Sequence, residues 1–491
     1  MKKILAKIEE SNFIPYLFTI LCSVLMAFTC YDNPCAIGNT QIDSSVFHYV
    51  ARVMLKGGMP YRDTFDHKGP LIFLVDAFGL WLNKDIGVWI MELVFIFVAL
   101  LFAYKIARLV GCSKIKSMLV EVLTVLSLSS YFVGGNLTEE YACTFIMVSL
   151  YIFLKFFKTG SANFIELIAC GVSFGAVCLL RINMTVLWVV MFFGVLIECV
   201  KRHEITKFIR YVLISFVGVS IILVPVVVWL MKNDAFTAFI NDYFKFSFMY
   251  ISDPKRASTI NIIKAIGHWG LQNIMIISLL TIIYFGFKDK KLIDWLCCIT
   301  ILLSVAMVSI SGQKYVHYGM IFVPLVIYAF ARLLSYVSVS YFNFNFSVPF
   351  KIALACMIIL ILGKGIYVFT SNFLKILIRY PSQSLIEAQE IAACIQANTN
   401  ENDKISVCGN RDIIYLLSDR FSASVYSYQS PVANIDKHIR KKYISDIKKL
   451  NAKILVAVDK KIFWLEELDD IISNDYIFVK QIGTAEIYKL K

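Results

Sequence analysis

Five short stretches of the chain set ionisable residues beside apolar segments. In Ile42-Asp43-Ser44-Ser45-Val46-Phe47-His48-Tyr49, Asp43 opens a helical apolar pattern. An aspartate there can serve as an N-cap. It also fits a carboxylate base that takes a proton from an acceptor hydroxyl or amine. The two roles agree, because a helix N-terminus keeps a carboxylate ionised. The second stretch is Tyr61-Arg62-Asp63-Thr64-Phe65-Asp66-His67-Lys68-Gly69-Pro70. Asp66 there fits a cap for the following helix, and Lys68, with His67, fits a phosphate group.

The third stretch, Asn136-Leu137-Thr138-Glu139-Glu140-Tyr141, opens an apolar run. Early acids suit the helix dipole. Glu139 and Glu140 also suit a sugar or a divalent cation. In the fourth, Arg181-Ile182-Asn183, an arginine among apolar residues is costly unless it snorkels or finds an anion, such as a lipid phosphate. The fifth, Ser311-Gly312-Gln313-Lys314-Tyr315-Val316-His317-Tyr318, reads as an interfacial aromatic belt or as a surface for phosphate or sugar.

The elements that must position these residues are apolar helices. Of 491 residues, 58% are hydrophobic and 17% charged, and the mean hydropathy is +0.70. Soluble domains carry about a quarter charged residues. Runs near the ~20 residues needed to span a bilayer are expected at Phe13–Tyr31, Ile86–Val110, Ser117–Val133, Tyr141–Phe157, Phe164–Leu180, Met184–Cys199, Tyr211–Met231, Leu271–Phe287, Leu292–Ile310, Tyr318–Leu334 and Ile352–Phe369. The basic N-terminus enters its apolar run without a small-x-small cleavage site, so it reads as an uncleaved first helix.

The net charge of +13 is spread through the loops between these runs. That pattern belongs to membrane topology rather than nucleic-acid binding. Lysine and arginine bias puts the N-terminus in the cytoplasm, and the odd span count puts the C-terminal segment outside. All five polar stretches then fall on the outer face. Glu92, Glu121 and Glu166 are the ionisable exceptions inside apolar runs. The expected architecture is a polytopic α-helical membrane protein of about eleven spans, residues 1–379. Its first outer loop, 32–85, holds two surface helices, Ile42–Leu55 and Leu71–Leu82. A small extracytoplasmic α/β domain follows at 380–491.

In that domain the pattern predicts helices over Ser384–Gln396, Ile435–Leu450 and Phe463–Ile472. It predicts strands at Lys404–Cys408, Lys453–Val458, Tyr476–Val479 and Ala485–Lys489. The cysteines show no CxxC or Cys/His metal spacing. Cys30 with Cys35, and Cys394 with Cys408, are the pairs that export would allow to bridge.

The order of these motifs resembles the GT-C membrane glycosyltransferases. The closest branch is similar to glycosyltransferase family 39, which includes protein O-mannosyltransferases and lipid A aminoarabinose transferases. The resemblance rests on Asp43, on Gly57-Gly58-Met59-Pro60-Tyr61-Arg62-Asp63, and on Asp66-His67-Lys68-Gly69-Pro70-Leu71. Thr138-Glu139-Glu140, Arg181 with Asn183, and Gly312 to Tyr318 before Pro324 look like later landmarks. Two features depart from the family: Ser44 stands where several relatives have a second acid, and the α/β pattern replaces the β-trefoil of protein mannosyltransferases.

The resemblance implies inverting transfer of a sugar from a polyprenyl-phosphate donor to a glycan, lipid or protein acceptor at the outer face of the cell inner (plasma) membrane. It makes Asp43 the catalytic carboxylate and Lys68, Arg181 and Lys314 candidates for the donor phosphate. Asp66, His67, Glu139, Glu140, Tyr315, His317 and Tyr318 are candidates for binding substrate. No metal ligand set and no cofactor are required, and a divalent cation is compatible. The competing readings are a transporter or flippase of lipid-linked saccharide and a polysaccharide polymerase or ligase.

Overall fold

The computed structural model describes residues 2–35, 42–254, 256–336, 348–377, 382–429, 432–449, 452–458, 460 and 465–491. The chain divides into two compact units. One contains Met1–Asn33, Trp89–Val226 and Pro254–Leu377. The other contains Pro34–Val88, Val227–Asp253 and Ile378–Lys491.

The first unit is helical. Every one of the eleven apolar runs falls on a helix, from Ile14–Ala27 to Val348–Leu377. Among the described residues, six helices are long and apolar enough to cross a membrane: Gly87–Leu109, Thr138–Thr159, Ile182–Lys201, Ile205–Lys232, Leu292–Ser309 and Val316–Tyr336. A seventh span forms if Thr259–Gly270 and Ile274–Asp289, bent by 64°, count as one. The chain is a polytopic α-helical membrane protein.

Glycine decides one close approach in this unit. A Cβ on Gly171 would stand 1.9 Å from the Ser215 carbonyl oxygen, and one on Gly218 would stand 2.3 Å from that of Ile168. Helices Phe164–Cys178 and Ile205–Lys232 therefore touch backbone to backbone, the small-residue packing that membrane helices use.

Arg332 lies between Asp289, at 2.7 Å, and Asp294, at 3.1 Å. Tyr328 donates to Asp294 at 2.6 Å, and Tyr336 donates to Asp289 at 3.2 Å. The three glutamates inside apolar runs are also engaged. Glu121 accepts from Thr19, and Glu92 accepts the Asn136 amide at 2.5 Å. Glu166 closes a capping box with Asn163 and pairs with Lys155.

The second unit joins the first loop, the 227–253 segment and the C-terminal region. Its five-stranded sheet runs in the order β2-β1-β3-β5-β4. The strands are β1 Lys404–Cys408, β2 Phe421–Ser422, β3 Ile454–Ala457, β4 Tyr476–Ile482 and β5 Ala485–Leu490. β2, β1 and β3 are parallel, while β5 and β4 add antiparallel. The two central parallel strands, β1 and β3, are buried almost throughout, as strands covered on both faces are.

The first-loop helices form as the periodicity predicts, over Ile42–Leu55 and Pro70–Leu82. Gly57, at φ +88°, ends the first. Gly69 and Pro70 begin the second as N-cap and first residue.

The Ile42–Leu55 helix is built into the α/β core. Tyr49 is buried among Ile405, Ile414, Tyr415 and Ile454. Its hydroxyl accepts the Ser422 amide at 2.8 Å. Arg52 donates to the Leu416 carbonyl at 3.2 Å and pairs with Asp419. The loop pattern alone placed this helix on a membrane surface. The division of the chain instead groups it with the C-terminal sheet, because its apolar stripe covers that core.

The predicted helix Phe463–Ile472 begins outside the described residues, and the structure shows Glu467–Asp475 there. Neither of the pairs that export would allow, Cys30 with Cys35 or Cys394 with Cys408, is joined by a disulfide. Cys408 instead lies buried against Tyr443, 3.0 Å from its hydroxyl.

Candidate functional site

The predicted site residues fall into two clusters, one in each unit. In the second unit the Pro60–Thr64 turn places the Asp66 stretch. Tyr61 adopts φ +68°, and its amide donates to the Thr64 carbonyl at 2.7 Å. Asp63 accepts the Met59 amide at 2.7 Å and holds Arg62, which keeps its carboxyl below the usual range. The Tyr61 hydroxyl, buried between Phe73 and Phe239, donates to the Lys68 carbonyl at 2.7 Å. The Phe65 amide donates to the Val425 carbonyl at 2.7 Å. The turn is thus sewn at both ends.

Between those ends Asp66 is buried. One of its oxygens accepts the His67 amide at 2.5 Å, the Lys68 amide at 3.2 Å and the Tyr428 hydroxyl at 3.2 Å. His67 Nδ1 stands 3.3 Å from the Tyr428 hydroxyl, and His67 Nε2 stands 3.2 Å from Lys68 Nζ. The imidazole stacks on Tyr250 at 6.0 Å and tilts against Phe246 at 5.4 Å.

Asp43 is half-buried in the first turn of its helix. Burial pushes the Asp66 carboxyl upward; the Lys68 charge opposes that shift and the Asp43 charge adds to it. One buried carboxylate therefore feels both the candidate base and the candidate phosphate ligand. Two further carboxyls belong to this field. Burial and the Asp66 charge raise Asp242 to about 7. Burial and Asp66 also raise Asp412 to about 7, against a hydrogen bond from Ser427.

In the first unit Arg181 finds its anion in Glu139. Its guanidinium lies 4.2 Å from the Tyr318 ring centre and donates to Asn183 at 3.2 Å. His317 Nε2 stands 3.6 Å from the same Glu139 oxygen, and Thr138 donates to the other at 2.7 Å. The His317 ring stacks on Tyr315 at 5.7 Å. Glu140 is buried within electrostatic range of Glu92. Lys314 is exposed in the loop that leads to Tyr315.

Glu139 thus pairs with an arginine. Among the described residues, no group of three or more His, Cys, Asp or Glu side chains is arranged to hold a metal ion.

Sequence reasoning missed Tyr428, Tyr250 and Asp242. Tyr428 lies in Ser-Ala-Ser-Val-Tyr-Ser-Tyr-Gln, residues 422–429, which lacks both periodicity and conspicuous charge. Only its aromatic density hinted at a role. The 236–252 segment reads as an aromatic loop but forms short helices, including a π-helical turn at Ile240–Lys245 that carries Asp242. Such turns often mark functional positions.

The fold is similar to those of solved membrane enzymes over nearly the whole chain. ArnT from Cupriavidus metallidurans, solved bound to undecaprenyl phosphate, superposes with a TM-score of 0.63 at 12% identity, covering 96% of this chain and 97% of that one. Its apo structure gives 0.60 at 12% identity, with 91% and 92% covered. The oligosaccharyltransferase of Archaeoglobus fulgidus tethered to an acceptor peptide gives 0.52 at 11% identity, with 98% of this chain and 74% of that one covered. The chain has the GT-C fold.

Residues 6–341 match the family model described as "Putative competence-induced protein Ccs4 N-terminal domain", and residues 385–491 match the corresponding C-terminal domain model. The chain belongs to the Ccs4 family. No curated protein matches it in sequence.

Proposed function

We propose that this protein is an inverting glycosyltransferase that moves a sugar from a polyprenyl-phosphate donor to an acceptor at the outer face of the cell membrane. The observation that carries the reading is that the charges of Asp43 and Lys68, 25 residues apart in sequence, both act on the buried Asp66 carboxyl, whose Oδ1 accepts the Lys68 amide at 3.2 Å. The shared fold supports it, since one relative in shape was solved with undecaprenyl phosphate and another with dolichol-phosphate.

In the proposed step an acceptor hydroxyl or amine attacks the anomeric carbon. Asp43 takes its proton, the carbon–phosphate oxygen bond breaks, and polyprenyl phosphate leaves as the anion. Lys68 stabilises the charge that gathers on the leaving phosphate, the kind of term that carries most of such a rate. Asp43 sits in the first turn of its helix. The step uses no residue of the first unit. Arg181 is held by Glu139, so it is not assigned a part in it.

The test is an assay of purified full-length protein with a panel of polyprenyl-phosphate sugars and candidate acceptors, with and without a chelator. Transfer with inversion by the wild type, lost in Asp43→Asn at unchanged folding, is the expected result. Full turnover by Asp43→Asn would sink the assignment. Loss of transfer on chelation would replace the metal-free step with a cation-assisted one.

A further inference from the structure

Three basic residues of the first unit meet without an acid. The Lys314 and Lys364 charges both act on the His268 ring. The segments that carry the three, 259–272, 310–318 and 348–377, contain no aspartate or glutamate. Among the described residues none of the three forms an ion pair. Like charges brought together repel, and an anion between them would relieve that repulsion.

Lys364 is placed by a close backbone approach. Its helix, Val348–Leu377, carries the last apolar run. A Cβ on the next residue, Gly365, would stand 2.5 Å from the Leu126 carbonyl oxygen, so this helix lies directly against Lys114–Ser129. Lys364 Nζ then reaches the Tyr131 ring, 5.3 Å from its centre, a contact that attracts an ammonium. Tyr131 is fixed in turn. Its hydroxyl donates to Gln272 at 2.9 Å, and its ring covers Gly319, where a Cβ would stand 2.2 Å from it. Tyr131 and Gln272 follow helix ends, His268 lies in a last helical turn, and Lys314 lies in a loop between helices. Lys364 therefore sits at the level where its neighbours stop, which is the level of lipid headgroups.

Beside Lys364 the same helix offers an apolar groove of about 830 Å³, whose lining includes Ile359, Ile366, Tyr367 and Leu374. Tyr367 and Ser371 also line it, three and seven residues past Lys364, so the lysine borders the groove. Ile359 and Tyr367 are 67% and 74% exposed, which leaves the groove open along its side.

We propose that Lys314, Lys364 and His268 hold the phosphate of an anionic phospholipid, phosphatidylglycerol in kind, with its acyl chains along the groove at 359–374. Charge complementarity selects the head: the lysines supply two ammonium groups, and the imidazole a ring N–H. The apolar lining takes the chains. A groove open at its side suits a bilayer lipid that enters laterally. The site goes beyond the sugar-transfer step proposed above, which uses no residue of this unit.

The experiment offers full-length protein in detergent equal amounts of phosphatidylglycerol and phosphatidylcholine with the same chains, and counts the lipids retained by native mass spectrometry. The wild type should prefer phosphatidylglycerol. Lys314→Gln combined with Lys364→Gln should reduce that preference by about thirtyfold, roughly fivefold for each lysine near an anionic lipid surface. Lys364→Arg keeps the charge and should keep the preference, which separates lost charge from lost fold. Equal retention of the two lipids by the wild type, or an unchanged preference in the double variant, overturns the proposal. Gly363→Trp tests the groove, since a Cβ at Gly363 meets nothing within 4 Å. It should lower phosphatidylglycerol retention at an unchanged melting temperature, and full retention would remove the chains from this groove. Undecaprenyl phosphate and inorganic phosphate serve as competitors. If the first displaces phosphatidylglycerol through the same lysines, the site belongs to the isoprenoid lipid and the phospholipid assignment falls. If the second displaces it, the site takes a free anion and the assignment falls as well.

Discussion

Two regions of the molecule bury charge, and they do so differently. Around Arg332, one guanidinium sits between two carboxylates and two tyrosines complete their bonding. With Lys291 3.9 Å from Asp289, two cations face two carboxylates and the charges are matched locally. Around Asp66, acids gather instead. Asp43, Asp242 and Asp412 each interact electrostatically with Asp66, beside Lys68. A closed network holds helices together. A cluster held away from local neutrality stores a capacity to shift protons and to meet a charged ligand, which is how perturbed groups mark functional sites.

The contrast can be broken or sharpened by mutation. Asp43→Asn is expected to lower transfer by about 10²–10⁴-fold, the range for removing a general base, with the melting temperature unchanged. Arg332→Leu should do the reverse. It strands Asp289 and Asp294, a loss of about 3–5 kcal/mol, seen as a fall in melting temperature while turnover per folded molecule persists. If Arg332→Leu instead removed activity from a fully stable protein, the division between the two regions would fail. Lys68→Met should lower kcat/KM for the lipid-linked donor by about a hundredfold, with most of the loss recovered in Lys68→Arg.

The smallest effect concerns pH. The Asp412 carboxyl is raised from 3.8 to about 7 in the folded protein. The folded state therefore holds a proton that the unfolded chain releases, and stability declines as pH rises from about 4 to about 7, then levels off. Asp412→Asn should flatten that decline in melting temperature, leaving the part due to Asp242. A slope unchanged in the variant would remove Asp412 from the account.

The sequence made the helices legible because apolar runs of spanning length are hard to read otherwise. Asp43, Asp66, His67 and Lys68 were legible for a similar reason, since charge beside a membrane stands out. The partners of those residues were not. Tyr428 lies 362 residues from Asp66, in a stretch whose local pattern predicts nothing. Arg181 shows the limit from the other side. Its need for an anion was readable, but Glu139, which supplies it, lies 42 residues away and was itself read as a sugar or cation ligand. The strand pair β1 and β3 was predictable from composition, whereas β2, two residues long, exists only because β1 offers it an edge.

The hydrogen bond from the Ser422 amide to the Tyr49 hydroxyl spans 373 residues. During synthesis at about 5–20 residues per second, the helix bearing Asp43 leaves the ribosome roughly 20 to 75 seconds before the residues that cover its apolar stripe exist. Until then that stripe has no sheet to lie against. A chain released early would thus carry Asp43 on a helix whose apolar stripe has no sheet to cover it.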